Sequence, residues 1–257
     1  MAESAKSYGQ FCPVAVASEL LTQRWTPLVL RELLAGSTHF NQLRRGVPLM
    51  SPSLLATRLR ALEEAGVITR SEADGGRQTE YRLTRAGEEL RPVIEQIGVW
   101  GRRWIQKGIK DEELDPGLLM WDMQRRINVA ALPARRVVVL FEFTDTARKL
   151  ALWWLVLEAG QADVCLADPG FPTDLRVVTT VRLMTEIWMG EVEFRRALGP
   201  DLEIQGPRAL ARALPGWLQL SVFAGVDAVT PRTGRARVEG EAAPERPRGS
   251  TRPGPPG

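Results

Sequence analysis

The chain has 257 residues, of which 44% are hydrophobic and 25% charged, as expected for a folded protein with room for two domains. No run of about eighteen apolar residues occurs, and the first residues lack the basic-then-apolar pattern of a secretory signal. Two cysteines are too few for a disulfide framework. These features predict a cytoplasmic protein that does not span or bind a membrane.

Charge divides the chain into three segments. Residues 1–110 carry 16 Lys/Arg against 11 Asp/Glu, residues 111–229 carry 12 against 17, and residues 230–257 carry 6 against 3. An acidic stretch that ends in Pro116-Gly117 marks the first boundary. From Thr230 onward the chain is mostly Pro, Gly, Arg and Glu, which predicts a disordered tail. Of the two predicted domains, the basic first one is therefore the candidate for binding a polyanion.

The basic segment begins with four predicted helices. They start near Cys12-Pro13, at Trp25, after Thr38 and at Ser51-Pro52. The fourth start is the clearest, because Ser is a good N-cap and Pro suits the first helical turn. Leu55, Leu59 and Leu62 recur at helical spacing in this helix and predict its buried face, and Gly66 ends it.

Two β-type segments and a long helix follow. Val67 to Ser71 and Thr79 to Leu83 flank Asp74-Gly75-Gly76, a hairpin signal. Thr84 is expected to cap a helix that runs to Trp104, with Pro92 kinking it or removing one hydrogen bond. Helices, hairpin and flanking helix in this order predict a winged helix-turn-helix, whose fourth helix is placed to enter the major groove of DNA.

The predicted reading surface is the exposed side of the fourth helix. Ser53, Thr57 and Arg60 face outward with Glu64, and Arg58 lies on the flank. Short hydroxyls with arginine suit base edges, and the helix start at Ser51 suits a phosphate oxygen. The other predicted DNA contacts, expected along the backbone or minor groove, are His39, Arg44, Arg45, Arg77 and Gln78. Each arginine alone is more often a solvated charge, but the set inside a winged helix favours DNA.

Residues 11 to 104 resemble HxlR-type winged-helix regulators. The matching stretches are Phe11-Cys12-Pro13-Val14, Arg24 to Leu33, Phe40-Asn41-Gln42-Leu43, Ser51 to Leu55, Leu59 to Gly66 and Tyr81 to Gly87. The resemblance implies a homodimer, assembled through the first and last helices, on a near-palindromic operator. An apolar stripe in the last helix agrees with this and supplies the candidate dimer residues Val93, Ile97, Trp100 and Trp104. The alternative is that the stripe packs against residues 111–229.

Cys12 and His39 are the two residues whose side chains could support redox chemistry or metal binding. A thiol at a helix N-terminus has a lowered pKa, so Cys12 is a candidate redox sensor, as in some members of the resembled family. Packing as a small hydrophobe is the alternative. A lone histidine is no metal site, and no ligand cluster is seen, so neither a metal nor a cofactor is predicted.

The acidic segment is predicted to be α+β, with an antiparallel meander of four strands followed by helices and one short further strand. The order of elements, Asp163 to Gly170 and Trp188-Met189-Gly190-Glu191 resemble the sterol-carrier-type domain, in which helices cover an antiparallel sheet around an apolar cavity. The resemblance implies a small apolar ligand, and the predicted pocket residues are Trp153, Trp154, Met184, Trp188 and Trp217. The alternative is a solid core that serves only to pair subunits.

The sequence therefore predicts a sequence-specific DNA-binding regulator whose DNA affinity responds to a small apolar ligand. A repressor is favoured over an activator. A regulator switched by oxidation of Cys12 is the first alternative, and a lipid carrier is the second. An enzyme is not predicted, because no Ser-His-Asp, Cys-His or paired-carboxylate arrangement can be assembled.

Overall fold

The computed structural model describes residues 7–73, 78–158 and 160–227. Within them lie two separate hydrophobic cores, one built from residues between Val29 and Ile68 and the other from residues between Leu119 and Leu218. None of the described helices is long and apolar enough to cross a bilayer.

The first core belongs to a winged helix. Its helices are α1 (Pro13–Leu21), α2 (Thr26–Leu34), α3 (Phe40–Gly46) and α4 (Pro52–Glu64), followed by the antiparallel strands β1 (Ile68–Ala73) and β2 (Gln78–Leu83). Ser51 caps α4 as predicted, since its Oγ accepts a hydrogen bond from the Leu54 amide at 3.3 Å. The predicted turn residues 74–76 lie outside the described residues.

The start of α3 differs from the prediction. His39, not Thr38, is the N-cap, and the Gln42 side-chain oxygen accepts hydrogen bonds from both backbone amides at 3.0 and 3.1 Å. Thr38 instead pairs with the wing, because its carbonyl accepts from the Tyr81 amide at 2.7 Å. Thr38 therefore pairs with strand β2 and does not serve as the N-cap of α3.

The predicted long helix is two helices. Thr84 caps the single turn α5 (Arg85–Glu88), and α6 (Arg91–Trp100) starts with Pro92 in its first turn. The prediction of one continuous helix was wrong: the helix is interrupted before Arg91. Proline has no amide hydrogen and is best tolerated in the first turn of a helix, so a new helix begins around Pro92. A wider π-type turn, Gly101–Ile105, extends α6.

The second core is formed by α7 (Pro116–Arg125), a five-stranded sheet and three further helices. The strands are β3 (Val137–Phe143), β4 (Leu152–Glu158), β5 (Gln161–Cys165), β6 (Leu175–Thr179) and β7 (Leu202–Gln205). The helices are α8 (Val181–Trp188), α9 (Phe194–Ala197) and α10 (Arg208–Trp217).

The sheet is mixed, with the order β5-β4-β3-β6-β7. Strands β3, β4 and β5 form an antiparallel meander as predicted, but β6, the predicted fourth strand, does not continue it. β6 runs parallel to β3, with Phe141 paired to Val177. The hairpin β4–β5 occupies one edge of β3, and the segment after Cys165 crosses to the other edge. Asp174 fixes that crossing, because its carboxylate accepts from the Val138 amide at 2.9 Å. Helices α7, α8 and α10 cover the face of the sheet that carries Phe141 and Leu155.

Candidate nucleic-acid interface and cavities

Helix α4 presents a continuous polar face to solvent. Leu55, Leu59 and Leu62 are buried in the first core, so the opposite side of the helix points outward. Ser53, Thr57 and Arg60 are all exposed on that side. The Ser51 and Ser53 hydroxyls lie 3.2 Å apart at the N-terminus, where the helix dipole and free amides favour an anion.

Arg58 is held on the flank of this face by a strained turn. Its Nε donates to the Arg24 carbonyl at 3.1 Å. The next residue, Trp25, has φ of 78° and caps α2, and it is the one non-glycine residue with positive φ in the described part of the chain. A bulky residue in this region is costly and persists only where its surroundings hold it. The α1–α2 turn therefore positions Arg58 beside the reading face.

The other predicted DNA contacts lie in α3 and the wing. His39 is half-buried and bridges to Glu80 of the wing, while its Nδ1 lies 3.0 Å from the Thr38 hydroxyl. Arg44 and Gln78 are exposed. Arg77 lies outside the described residues.

Arg45 points toward the second domain. Its guanidinium lies 5.4 Å from the centroid of the Trp121 ring, and Arg125 lies at the same distance from that ring. Each distance is within the range of cation–π attraction. The structure therefore places Arg45 at the domain boundary, whereas sequence reasoning grouped it with the DNA contacts.

A buried carboxylate ties the two domains together. Glu32 of α2 is fully buried, and it pairs with Arg31 at 2.8 Å and with Arg125 of α7 at 2.8 Å. The Trp121 indole N–H donates to the same carboxylate at 3.2 Å. The Arg31 guanidinium also donates to the Gly46 carbonyl at 2.8 Å, at the end of α3. One charged group is thus shared between the second domain and the helices that precede α4.

Sequence reasoning missed this junction, although a signal was present. Glu32 follows Val29 by three residues and precedes Leu33, so it falls on the buried stripe of α2. A carboxylate in phase with core residues must find a partner, because an unpaired buried charge is very costly. The partner, Arg125, is 93 residues away, and no local pattern indicates it.

The apolar stripe of α6 is exposed. Val93, Ile97, Trp100 and Trp104 are between 42% and 58% exposed, so they do not pack against the second domain as the alternative required. That domain reaches α6 on another side, where Phe223 lies against Gly98. Large apolar residues at the start of α1, Phe11 and Val14, are also exposed, and half-buried Cys12 caps that helix between them.

Two apolar cavities adjoin the second domain. The first, the junction cavity, has a volume of about 360 Å³ and lies between the two domains, with Trp121 and Trp153 in its walls. The second, the distal cavity, has about 380 Å³ and is lined by Met184 and Trp188. The five predicted pocket residues are therefore not brought together: Trp154 lies on the opposite sheet face from Trp153, and Trp217 is buried outside both cavities.

Among residues 7–73, 78–158 and 160–227, no three His, Cys, Asp or Glu side chains gather as metal ligands. The chemistry of the described surface is that of a winged helix-turn-helix that binds DNA. The polar face of α4 is presented behind a tight turn from α3 and beside a two-stranded wing, which is the arrangement that places a helix in the major groove.

Comparison with known proteins identifies the family. The model of the HxlR-like helix-turn-helix family matches residues 20–109. The HTH-type transcriptional regulator YvaP of Bacillus subtilis is 33% identical over 104 residues, which cover 40% of this chain and 96% of that protein. The HTH-type transcriptional regulator sll1512 of Synechocystis is 36% identical over 100 residues, or 38% of this chain and 74% of that protein. The chain belongs to the HxlR-like helix-turn-helix family, and it is a DNA-binding transcriptional regulator, not an enzyme.

The chain also matches part of a solved structure. The reduced form of the transcriptional regulator YodB from B. subtilis is 27% identical, and the match covers 39% of this chain and 100% of that chain with a TM-score of 0.34. The family match ends at residue 109, so the second domain lies outside it.

Proposed function

We propose that this regulator is a homodimeric repressor that reads a near-palindromic operator with α4 and responds to a small apolar ligand bound by the second domain. The observation that carries the proposal is the outward polar face of α4, formed by Ser53, Thr57 and Arg60 above a fully buried leucine row. Because the leucine row packs in the first core, the opposite side of the helix faces solvent and is accessible to a DNA groove.

The proposed base contacts come from Thr57 and Arg60, with Ser53 at the helix start. Arginine reads guanine by two hydrogen bonds, and a threonine methyl packs on thymine. Ser51 and the free amides bind a phosphate, and Arg44, Arg58, His39, Arg77 and Gln78 contact the flanking backbone or minor groove. Arg45 is also a proposed backbone contact, and its guanidinium lies over Trp121 at the domain boundary.

The dimer is proposed to form through α1 and α6. Trp100 and Trp104 are 58% and 48% exposed, and Phe11 is fully exposed. Large apolar residues exposed at helical spacing on one helix are a feature of interaction sites. A two-fold dimer would set the two α4 helices against half-sites about 34–36 Å apart, and operator symmetry would follow from protein symmetry.

Repression requires only that the dimer occupy its operator, which is why it is the simpler proposal. Control by a ligand requires that the ligand bind one arrangement of the domains better than another. Two apolar cavities and the buried Glu32 junction supply a place to bind and a connection to the DNA-binding helices. The resemblance of the second domain to sterol carriers stays a prediction, supported by helices that cover one face of the sheet.

The proposal is tested by selecting genomic fragments with the purified full chain and sequencing them. The recovered fragments should share a two-fold symmetric motif, and fluorescence anisotropy on that motif should show a large loss of affinity for Arg60→Ala. Arg85→Ala is the matched control, because Arg85 is exposed on α5 and is not among the proposed DNA contacts. Fragments without a common motif, or equal losses in both variants, would contradict it.

Oxidation of Cys12 remains the alternative signal. Cys12 is the N-cap residue of α1, next to the exposed Phe11 and within the proposed dimer surface, and its side chain makes no capping hydrogen bond. If it is the sensor, an oxidant should release DNA from the native protein and not from Cys12→Ser. Equal behaviour of the two proteins would leave the ligand as the signal.

A further inference from the structure

We infer that the junction cavity is the effector site and that it binds a small aromatic carboxylate. The inference rests on the proposed function, since it assigns the place and chemistry of the ligand. It depends on three features: walls from both domains, an arginine without a carboxylate partner, and a direct connection to Glu32.

The cavity is walled on two sides by different domains. Arg45 and Pro48 come from the turn between α3 and α4, while Leu118, Trp121, Trp153 and Leu166 come from the second domain. A ligand here touches the turn that sets the position of α4. Because a ligand shifts an equilibrium only by its differential affinity for two states, contact with both domains is what control requires.

The walls select a flat apolar molecule with a negative charge. Two indole rings and two leucines offer apolar surface, and about 360 Å³ suits one small molecule. Arg45 is exposed, and it takes part in none of the ion pairs found among the described residues. The carboxylate of Asp115, which also lines the cavity, is engaged as the cap of α7 and accepts from the Leu118 amide at 3.0 Å. A ligand carboxylate is the natural partner for Arg45.

Trp121 connects the cavity to the DNA-binding domain. Its ring forms a wall and its N–H donates to Glu32 at 3.2 Å. Glu32 in turn lies so close to Gly46 that a Cβ at residue 46 would approach its carboxylate carbon to 1.9 Å. Movement of Trp121 against a bound ligand therefore changes the contacts of Glu32, whose partner Arg31 donates to the Gly46 carbonyl at the end of α3, just before the turn into α4.

The distal cavity lacks this connection. Its walls, including Met184, Trp188 and Leu220, all come from the second domain. A ligand there contacts no residue of the winged helix directly. The two cavities have similar volumes, so their positions, not their sizes, distinguish them.

The test uses the full chain, with 2-naphthoate as the probe and 2-naphthamide as its neutral counterpart, both measured by calorimetry. Leu166→Trp fills the mouth of the junction cavity, and Leu220→Trp fills that of the distal cavity. The two leucines are 48% and 45% exposed, so the variants are matched and neither disturbs a buried core. Arg45→Gln removes the charge.

We expect 2-naphthoate to bind the native protein and Leu220→Trp equally, and Leu166→Trp at least tenfold more weakly. Arg45→Gln should lose at least tenfold for 2-naphthoate while its affinity for 2-naphthamide is unchanged. Loss in Leu220→Trp alone, loss in both tryptophan variants, or no binding by the native protein would overturn the assignment.

Coupling is read separately, by anisotropy on the selected operator. Saturating 2-naphthoate should change the operator affinity of the native protein at least threefold and leave that of Leu166→Trp unchanged. An unaltered affinity in a protein that binds the probe would overturn the effector role while the DNA-binding proposal stands. Absence of any selected operator would contradict the proposed function itself, whatever calorimetry shows.

Discussion

The indole N–H of Trp121 donates to the buried carboxylate of Glu32 at 3.2 Å, across the boundary between the two domains. The carboxylate also holds Arg125 from the second domain and Arg31 from its own helix. Buried charges of this kind contribute little net stability, but removing one partner leaves the others uncompensated and is strongly destabilising. The contact therefore fixes how the second domain sits against α2 and α3.

Replacing Trp121 with Phe should destabilise the protein and loosen the domain junction. The change keeps an aromatic ring but removes the donor, and leaving a buried acceptor short of a partner costs about 1–3 kcal/mol. Urea denaturation measures the loss. Trp154→Phe is the control, because Trp154 is only partly buried on the outer face of the sheet. Equal losses of unfolding free energy in the two variants would show that the hydrogen bond to Glu32 does not add to stability.

Gly46→Ala should be far more damaging than an ordinary glycine substitution. A Cβ at this position would lie 1.9 Å from the Glu32 carboxylate, which its buried ion pairs hold in place. Gly101→Ala is the control, because nothing lies within 4 Å of its Cβ and its backbone is helical. Thermal denaturation should show a large fall in Tm for the first and little change or a rise for the second. Similar Tm values in both variants would contradict the described packing.

Asp122 should impose a distinctive pH dependence on stability. Burial raises the pKa of this carboxyl above its ordinary value of 3.8, and this outweighs the attraction of Arg125. Between 3.8 and the raised pKa the folded state holds more protons than the unfolded state, so this group's contribution to the free energy of unfolding falls as pH rises. Asp122→Asn should remove that fall.

The measurement is urea denaturation of both proteins at steps from about pH 4 to pH 7. Other carboxylates change the stability of both proteins alike, so the difference between the two curves isolates Asp122. The free energy of unfolding of the native protein, relative to that of Asp122→Asn, should be highest at the acidic end of the range. Parallel curves at all pH values would show that burial does not raise this pKa.

Charge introduced into the α6 stripe should separate the proposed dimer. Ile97→Glu combined with Trp100→Glu places two carboxylates where apolar contact with a second copy is expected, and both side chains are exposed in the single chain. Light scattering after size-exclusion chromatography should give a dimer for the native protein and a monomer for the variant. Val129→Glu, at a similarly exposed apolar position on the second domain, should remain dimeric. A native monomer would reject the proposed assembly.

Local signals predicted the winged helix well. The helix start at Ser51-Pro52, the leucine row of α4 and the strands that flank the wing are each set by residues close together in the chain. Short-range sequence patterns were therefore enough to predict them. At two positions the local signals were misleading. Thr38 was predicted to cap α3 but pairs with β2 through its carbonyl. Pro92 was predicted to lie inside one long helix, but a new helix begins there, because proline has no amide hydrogen to donate.

Contacts between distant segments could not be predicted in this way. Strand β6 pairs with the edge of β3 that β4 leaves unpaired, and the short turns in the sequence do not indicate this pairing. The contact of Arg45 with Trp121 was not predicted, because Trp121 lies in another domain. The separation of Trp153 from Trp154 has a local cause instead, because adjacent residues of a strand face opposite sides of the sheet, and the strand pattern alone could have indicated it.

Hydroxyl-radical footprinting of the selected operator tests the central claim, that paired α4 helices read DNA. The native protein should protect two symmetric patches about 10–10.5 base pairs apart, or a multiple of that spacing. Arg60→Ala, at the exposed centre of α4, should abolish both patches at a concentration where Arg85→Ala retains them. A single asymmetric patch, or protection that Arg60→Ala leaves intact, would contradict the account.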